Sequence, residues 1–276
     1  MINKLKIFWH YLLPKLLLTK LANKLANSNI PWLKNYLITY FINKYPINML
    51  EAAEENPLNY ATFNDFFTRK LKTLARTISA SRFISPADGF ISQGGRLQVN
   101  KLLQAKGIYY TLEQLLACSD EAKKYYSGDF VTIYLSPKDY HRIHMPIDGN
   151  LVKQTYIPGK LFSVQPFTTE NIPGLFSRNE RLVLHFETAF GPMALVLVGA
   201  TIVGCIGTAW GGDIPRHNKI HTQVFEKPLP IQKGSELGYF KLGSTVIMTL
   251  SSQANIQWQT KLINGAPILL GQALGD

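Results

Sequence analysis

Residues 193–210 read MALVLVGATIVGCIGTAW, and this stretch decides how the chain is classified. It lies inside a segment of 25 residues, between Glu187 and Asp213, that contains no charged side chain. By length alone such a segment could span a bilayer. However, glycines interrupt it repeatedly, and Val, Ile and Thr are frequent between them. We therefore predict two buried β-strands joined at a glycine turn, with Cys205 as an inert thiol in the core.

The same pattern, which is typical of β-strands, extends over most of the chain from residue 82 onward. Short apolar runs alternate there with Gly and Pro, and the clearest are RFISPADGFIS (82–92), DFVTIYLSP (129–137), RLVLHFET (181–188) and STVIMTL (244–250). Many short strands at such intervals indicate an antiparallel or mixed β domain.

The first 45 residues have a different residue pattern, which is typical of helices. Leu17, Leu21 and Leu25 form one row at helical spacing, and Lys20 with Lys24 forms another. The run NSNIP breaks this pattern, so we predict two helices. No stretch here approaches the ~20 uninterrupted apolar residues that a membrane span needs.

The charge of the chain is concentrated at this helical end. The 276 residues carry a formal net charge of +11, and the first 50 contribute +7, with seven lysines and no acid. A basic excess at one end indicates an anionic partner surface. Lysines mixed with leucines and aromatics suit a helix in a membrane interface better than nucleic acid, since no Arg cluster is present. Helices packed on the protein's own core remain an equal alternative.

Three further helices are indicated by capping-box spacing. The pairs are Asn48 with Glu51, Thr62 with Asp65, and Thr111 with Gln114. The second pair opens the run FNDFFTRKLKTLAR, and the third opens LEQLLA. The two cysteines of the chain cannot form a disulfide framework, which indicates a reducing compartment.

Three short motifs contain residues that could carry chemistry. Asp88 lies at a turn, Asp139, His141 and His144 follow a strand, and Ser244 follows a glycine at the entrance to another strand. Together they supply the residue types of a nucleophile, a base and a group that orients the base. The sequence gives their types and order but no distances.

These residues by themselves leave three hypotheses open. The first is a serine nucleophile activated by His and Asp. The second is a metal-dependent hydrolase built on His141 and His144 with Asp139 or Asp88, to which His217 and His221 could add ligands. The third is a non-catalytic lipid-binding module. The chain lacks a G-x-S-x-G elbow and an H-E-x-x-H motif, which counts against ordinary α/β hydrolases and the commonest zinc hydrolases.

Five motifs, taken together, resemble the bacterial phosphatidylserine decarboxylases. They are SPADG (85–89), YHRIHMP (140–146), YIPGKLFSVQP (156–166), LFSRNER (175–181) and KLGST (241–245). All five occur in that family's order, which makes the resemblance very specific. With the helical start, it implies an α+β fold, in which a basic, membrane-docking helical region (1–75) packs on a mainly antiparallel β-rich catalytic domain (76–276).

The resemblance also implies that the chain is a proenzyme that cuts itself. The bond is Gly243–Ser244, and the products are chains 1–243 and 244–276. Ser244 would attack the carbonyl of Gly243, His144 would take its proton, and Asp88 would hold the imidazole. Elimination of the resulting ester would leave a covalent pyruvoyl group derived from Ser244, and no metal is implied.

The implied reaction converts phosphatidylserine to phosphatidylethanolamine. The pyruvoyl ketone would form a Schiff base with the substrate amine and accept electrons as CO₂ leaves. His141 is the candidate proton donor, with Asp139 in support, and the loop 159–167 could cover the acyl-chain end of the site. The implied partners are phosphatidylserine, an anionic membrane surface and the two fragments with each other, without nucleic acid. The implied location is peripheral, on the cytoplasmic face of the bacterial cell membrane. The oligomeric state, a homodimer included, stays open.

Overall fold

A computed structural model describes residues 7, 10–105, 107–202, 205–259 and 265–276. Its α-helices are α1 (Lys15–Ala26), α2 (Pro31–Lys44), α3 (Phe63–Phe67), α4 (Leu112–Leu116), α5 (Ser119–Lys123), α6 (Pro166–Thr169) and α7 (Leu175–Arg178). Its strands are β1 (Phe83–Ile84), β2 (Gly89–Arg96), β3 (Lys101–Ala105), β4 (Ile108–Thr111), β5 (Asp129–Leu135), β6 (Arg142–His144), β7 (Gly149–Ile157), β8 (Arg181–Thr188), β9 (Gly191–Val198), β10 (Cys205–Thr208), β11 (Gly212–Asp213), β12 (His221–Ile231), β13 (Glu236–Lys241), β14 (Ser244–Leu250), β15 (Pro267–Ile268) and β16 (Ala273–Gly275).

The helical start contains the two predicted helices, α1 and α2, separated at the NSNIP run. Pro31 is the first residue of α2, where its missing N–H costs no helical hydrogen bond. The helices share a small core of their own, whose buried members are Ala26, Ile38, Phe63, Phe66 and Phe67. The row Leu17, Leu21, Leu25 is not part of this core, because its side chains are 56%, 52% and 51% exposed.

All three predicted capping residues cap the turn that follows them, but only Thr111 begins an element of the predicted length. Thr111 forms a complete capping box with Gln114 at the start of α4. Asn48 instead caps a single 3-10 turn, Met49–Glu51, and Thr62 caps the five-residue helix α3. The prediction of a longer helix after Thr62 is therefore wrong. Beyond α3 the backbone pairs with an earlier stretch instead of continuing the helix. The N–H of Ala53 donates to the carbonyl of Lys70, and the N–H of Lys72 donates to the carbonyl of Glu51.

The β-rich part of the chain, from residue 76 onward, is built on an antiparallel sheet of eight strands in the order β12-β7-β8-β9-β14-β5-β2-β15. β14 lies near its centre, between β9 and β5, and all seven of its residues are buried. A second sheet has the order β11-β10-β13-β6, and the pairs β3-β4 and β1-β16 complete the β structure. The α+β prediction is confirmed.

The charge-free segment forms buried strands, as predicted, but the strands are not partners. β9 belongs to the eight-stranded sheet, whereas β10 belongs to the four-stranded sheet. Cys205 opens β10 half-buried, and burial raises the pKa of its thiol to about 11. Within the described residues, no helix has the length and hydropathy needed to cross a membrane.

Candidate active site

Ser244 is the first residue of β14 and follows a backbone of unusual conformation. Leu242 and Gly243 both have positive φ, +74° and +84°. A left-handed conformation costs a residue such as Leu roughly 1–2 kcal/mol. A Cβ added to Gly243 would meet no heavy atom within 4 Å, so its backbone angle rather than crowding favours glycine there. The bond Gly243–Ser244 therefore lies at a strained corner.

This corner lies on the wall of a cavity of about 220 Å³. The Ser244 side chain is fully buried, and its Oγ has no hydrogen-bond partner among the described residues. The helical region contributes Phe41, Tyr45 and Phe67 to the lining, and the β-rich part contributes the stretches 163–165 and 200–202. We call this space the Ser244 cavity. It is shared by both parts of the molecule.

Strand pairing explains why the histidine motif lies near Ser244. β6 pairs with β13, which ends two residues before Gly243. Just before β6, the carbonyl of His141 accepts the backbone N–H of Phe240 at 3.0 Å. These two strands are far apart in sequence, and only their pairing brings the two motifs together.

The aspartate motif joins the same region through a backbone contact. The N–H of His144 donates to the carbonyl oxygen of Pro86 at 2.8 Å, two residues before Asp88. The carboxylate of Asp88 is buried and accepts two hydrogen bonds from Arg76, at 2.6 and 3.1 Å. It also accepts the backbone N–H of Leu270 at 2.8 Å. Asp88 is therefore held by a guanidinium and the C-terminal segment.

The imidazole of His144 has partners at both nitrogens. Nδ1 is 2.8 Å from the carbonyl oxygen of Gly234, and Nε2 is 3.0 Å from the hydroxyl of Tyr140. A carbonyl can only accept, so Nδ1 carries the hydrogen, and Nε2 of the neutral ring accepts from Tyr140. Burial lowers the pKa of His144, which favours this neutral form. Its unprotonated nitrogen is thus the one that could take a proton.

The three predicted catalytic residues lie in adjoining motifs, but the structure does not join their side chains. The described hydrogen bonds of Asp88 and His144 go to other groups. Neither residue lines the Ser244 cavity. The tautomer of His144 is fixed by Gly234 rather than by Asp88.

His141 is fully buried and contacts Phe67, a residue that lines the Ser244 cavity. Its ring stacks on Phe67 with 4.1 Å between centroids, and its Nε2 donates to the carbonyl of Ser136 at 3.1 Å. Among the described residues Nδ1 has no partner. Burial, with a smaller contribution from Arg69, lowers the pKa of His141 to about 3, so the ring is neutral at pH 7.

Asp139 is linked to His141 through hydrogen bonds to Ser136. Its carboxylate accepts both the backbone N–H and the hydroxyl of Ser136 at 2.7 Å. Burial raises the pKa of Asp139. The carboxylate thus fixes the turn whose carbonyl orients the His141 ring.

Comparison with known proteins assigns this arrangement to a family. The family model described as phosphatidylserine decarboxylase matches residues 63–276, and a model described as PSD matches residues 5–46. The chain belongs to the phosphatidylserine decarboxylase family. The resemblance predicted from the five motifs is confirmed.

Curated members of the phosphatidylserine decarboxylase family match almost the whole chain. A phosphatidylserine decarboxylase proenzyme of Legionella pneumophila (strain Corby) is 51% identical, over 98% of this chain and 97% of its own length. Proenzymes of the same name from Saccharophagus degradans and Marinobacter nauticus are 47% and 46% identical. The alignments cover 96% and 100% of this chain, and 94% and 98% of those proteins.

Three residues of this site, Tyr140, Arg76 and Gly234, are not predicted from the sequence. Tyr140 stands inside the histidine motif, so its proximity to His144 could have been anticipated. Arg76 and Gly234 carry no local signal, because their contacts to Asp88 and His144 depend on the tertiary fold.

The alternative hypothesis from the sequence is a metal site in which the histidines are ligands. Within the described part of the chain, no group of three or more His, Cys, Asp or Glu side chains is arranged to hold a metal ion. His217 and His221 lie together, with ring centroids 4.6 Å apart. The rings of His217 and Tyr156 are in edge contact at 5.5 Å.

Proposed function

We propose that this chain is a phosphatidylserine decarboxylase proenzyme that cuts itself between Gly243 and Ser244. The observation that carries the proposal is the Ser244 hydroxyl, which is buried at a cavity and without a hydrogen-bond partner among the described residues. It follows two consecutive residues of positive φ, which place the susceptible bond in a strained corner. The family membership supplies the reaction.

Self-cleavage proceeds by chemistry that the chain itself provides. Ser244 Oγ attacks the carbonyl carbon of Gly243, and the amide becomes an ester as the nitrogen is released. Loss of the α-proton of Ser244 then expels the Gly243 carboxylate by elimination. Water hydrolyses the resulting dehydroalanine, which releases ammonia and leaves a pyruvoyl group at residue 244.

A serine hydroxyl needs a base at neutral pH, and we assign that role to His144. Its neutral ring and unprotonated Nε2 suit it for accepting a proton. To reach Ser244 the imidazole must give up its bond from Tyr140, which makes this exchange a necessary step of maturation. Asp88 then stabilises the imidazolium electrostatically, with Arg76 holding the carboxylate in place.

The residues around the Ser244 cavity fit a pyruvoyl group, since Ser244 is buried and its hydroxyl makes no hydrogen bond to a described residue that the group would forfeit. That group supplies a ketone that takes up the substrate amine and accepts electrons as CO₂ leaves. His141 is the candidate donor of the proton that replaces the carboxylate, and Asp139 orders the turn that orients it. Because the ring is neutral at pH 7, it must first take up a proton at Nδ1, which has no partner among the described residues. The aromatic lining of Phe41 and Phe67 keeps water from the reacting carbon.

The two fragments, of 243 and 33 residues, stay together after cleavage through strand pairing. β14 carries the new terminus and lies between β9 and β5 of the larger fragment. The other strands of the small fragment, β15 and β16, pair with β2 and β1. Separation would break the centre of the eight-stranded sheet.

The helical region 1–75 docks the enzyme on the cytoplasmic face of the bacterial membrane. The exposed leucine row of α1 is matched on α2 by Trp32, Tyr36 and Tyr40, whose side chains are 71%, 64% and 53% exposed. Aromatic and aliphatic rows beside exposed lysines are typical of helices in a membrane interface. Each lysine near an anionic surface contributes about 1 kcal/mol. The helices thus bring the Ser244 cavity close to lipid headgroups.

A denaturing gel with mass spectrometry tests the proposal. The purified protein should give two chains that match residues 1–243 and 244–276, and Ser244→Ala should give one uncut, inactive chain. Ser251→Ala is the matched control, because Ser251 also has a buried hydroxyl without a partner among the described residues and lies outside the cavity. It should cleave normally. An uncut wild-type chain that decarboxylates phosphatidylserine would refute the mechanism.

A further inference from the structure

A second cavity lies between α1 and the loop that follows β7. It has a volume of about 630 Å³, and we call it the α1 groove. Its lining includes Lys15 and Lys20 from the helix side and the stretch 159–162 from the loop side. Among the described residues, none lines both the α1 groove and the Ser244 cavity. The groove is therefore separate from the site of the reaction.

Four cationic side chains converge on the α1 groove. They are Lys15, Lys20, Lys160 and Arg178. The acid in the lining, Glu180, is engaged by Arg216 at 3.0 Å. Within the described ranges, no carboxylate lies at ion-pair distance from any of the four cations. Among the described residues, the four cations of the groove therefore have no carboxylate as an ion-pair partner.

Aromatic rings hold two of these cations in place. Lys15 Nζ and the Arg178 guanidinium each lie 4.9 Å from the centroid of Phe162, and Arg178 also donates to the hydroxyl of Tyr11 at 3.3 Å. Burial, with the nearby charge of Lys160, lowers the pKa of Lys15. The cations thus repel one another, and an anion bound among them would remove that repulsion.

One side of the α1 groove is apolar and open to solvent. Leu13, Leu16 and Leu17 line it, and their side chains are 40%, 52% and 56% exposed. A simple inorganic anion would leave this side uncovered. An anion that carries long apolar chains would use both the cations and the leucines.

We propose that the α1 groove binds one molecule of an anionic phospholipid as a non-catalytic ligand. The phosphodiester lies among the four cations, and the acyl chains follow the exposed leucines. This is a discrete, stoichiometric site and not the diffuse attraction of lysines to a charged surface. The loop that borders it continues directly into residues 163–165, which line the Ser244 cavity. A lipid in the α1 groove would contact both the loop and α1, and would therefore hold the loop in position against the helix.

Binding is tested on the full-length Ser244→Ala chain, so that neither cleavage nor turnover enters the measurement. Dihexanoylphosphatidylglycerol, kept below its micelle concentration, is titrated by calorimetry, with dihexanoylphosphatidylcholine for comparison. We expect saturable one-to-one binding of the anionic lipid and at least about tenfold weaker binding of the zwitterionic lipid. The double variant K15Q/K160Q should bind the anionic lipid at least about tenfold more weakly.

The matched control is K24Q/K44Q, which removes two lysines from α1 and α2 outside the groove. Its affinity should stay within about twofold of the parent. An equal loss in both variants would show diffuse attraction and overturn the site. Competition by inorganic phosphate at the same concentration as the lipid would overturn the lipid assignment. Should K15Q/K160Q fail to fold, K160E replaces it, because Lys160 is exposed. None of these outcomes depends on self-cleavage.

Discussion

The backbone N–H of His144 donates to the carbonyl oxygen of Pro86, 2.8 Å away. This one bond joins the histidine motif to the aspartate motif across a long stretch of chain. The side chains then take different partners, since His144 bonds to Tyr140 and Gly234 while Asp88 bonds to Arg76. The groups proposed for self-cleavage thus lie in adjoining motifs, while the side chains of Asp88 and His144 are bonded to other groups.

Tyr140→Phe removes the donor to Nε2 of His144 and should raise the pKa of that ring. The hydrogen bond from Tyr140 stabilises the neutral form, so its loss makes protonation easier. The pKa is measured by NMR titration in the uncut Ser244→Ala background. His141 is the internal control, since its ring bonds to Ser136 and should titrate as before. An unchanged His144 pKa would mean that the Tyr140 bond is absent in solution.

Arg76→Gln should destabilise the uncut chain by about 3 kcal/mol, because it leaves the buried Asp88 carboxylate without its cation. The double variant R76Q/D88N should cost less than the sum of the two single changes, since it also removes the unpaired charge. Urea unfolding of all four chains measures the coupling. Lys72→Gln breaks an exposed pair with Glu55 nearby and should cost under about 1 kcal/mol. Additive effects would argue against the Arg76–Asp88 pair.

Gly243→Ala should fold but cut itself more slowly. The added methyl has room, while the φ of +84° becomes unfavourable by roughly 1–2 kcal/mol. The backbone would relax away from the strained corner, and the rate on a denaturing gel should fall. Gly212→Ala is the matched control, with φ of +66° and equal room for a methyl. If it slows cleavage equally, the effect is global.

Leu17→Ser with Leu21→Ser should weaken binding to vesicles that contain phosphatidylglycerol. Two exposed side chains of the α1 row would no longer enter the interface. Flotation or co-sedimentation measures the bound fraction. The control pair, Ile220→Ser with Val224→Ser, removes side chains that are 52% and 67% exposed near the edge strand β12. Equal binding of both variants would show that α1 does not dock.

The uncut chain should lose stability as the pH falls below 6.5. The folded-state pKa of His141, about 3, is below the ordinary value of 6.5. Between pH 6.5 and pH 3 the unfolded chain binds a proton that the folded chain excludes. The free energy of unfolding therefore decreases as the pH is lowered through this window. The slope from this one residue is at most about 1.4 kcal/mol per pH unit. His141→Asn should give a shallower slope when urea midpoints at pH 7 and pH 5 are compared.

The sequence by itself determined the family, the α+β class and the residues that could carry the chemistry. These predictions used strand periodicity, the break between the first two helices and the five motifs. All three are local features of the sequence, so they can be recognised without knowing which distant segments meet in the fold. The capping box at Thr111 was sufficient for α4, since its two hydrogen bonds lie within four residues.

The tertiary structure decided which of these local features meet. Helical spacing gives both the leucine row and the lysine row of α1, but only packing shows that the leucines face outward. The segment rich in Val and Ile predicts buried strands, but only the pairing assigns β9 and β10 to different sheets. The partners of Asp88 and His144 are likewise set by long-range contacts with Arg76 and Gly234. A sequence fixes residue types and order, whereas hydrogen bonds depend on distances that only the folded chain establishes.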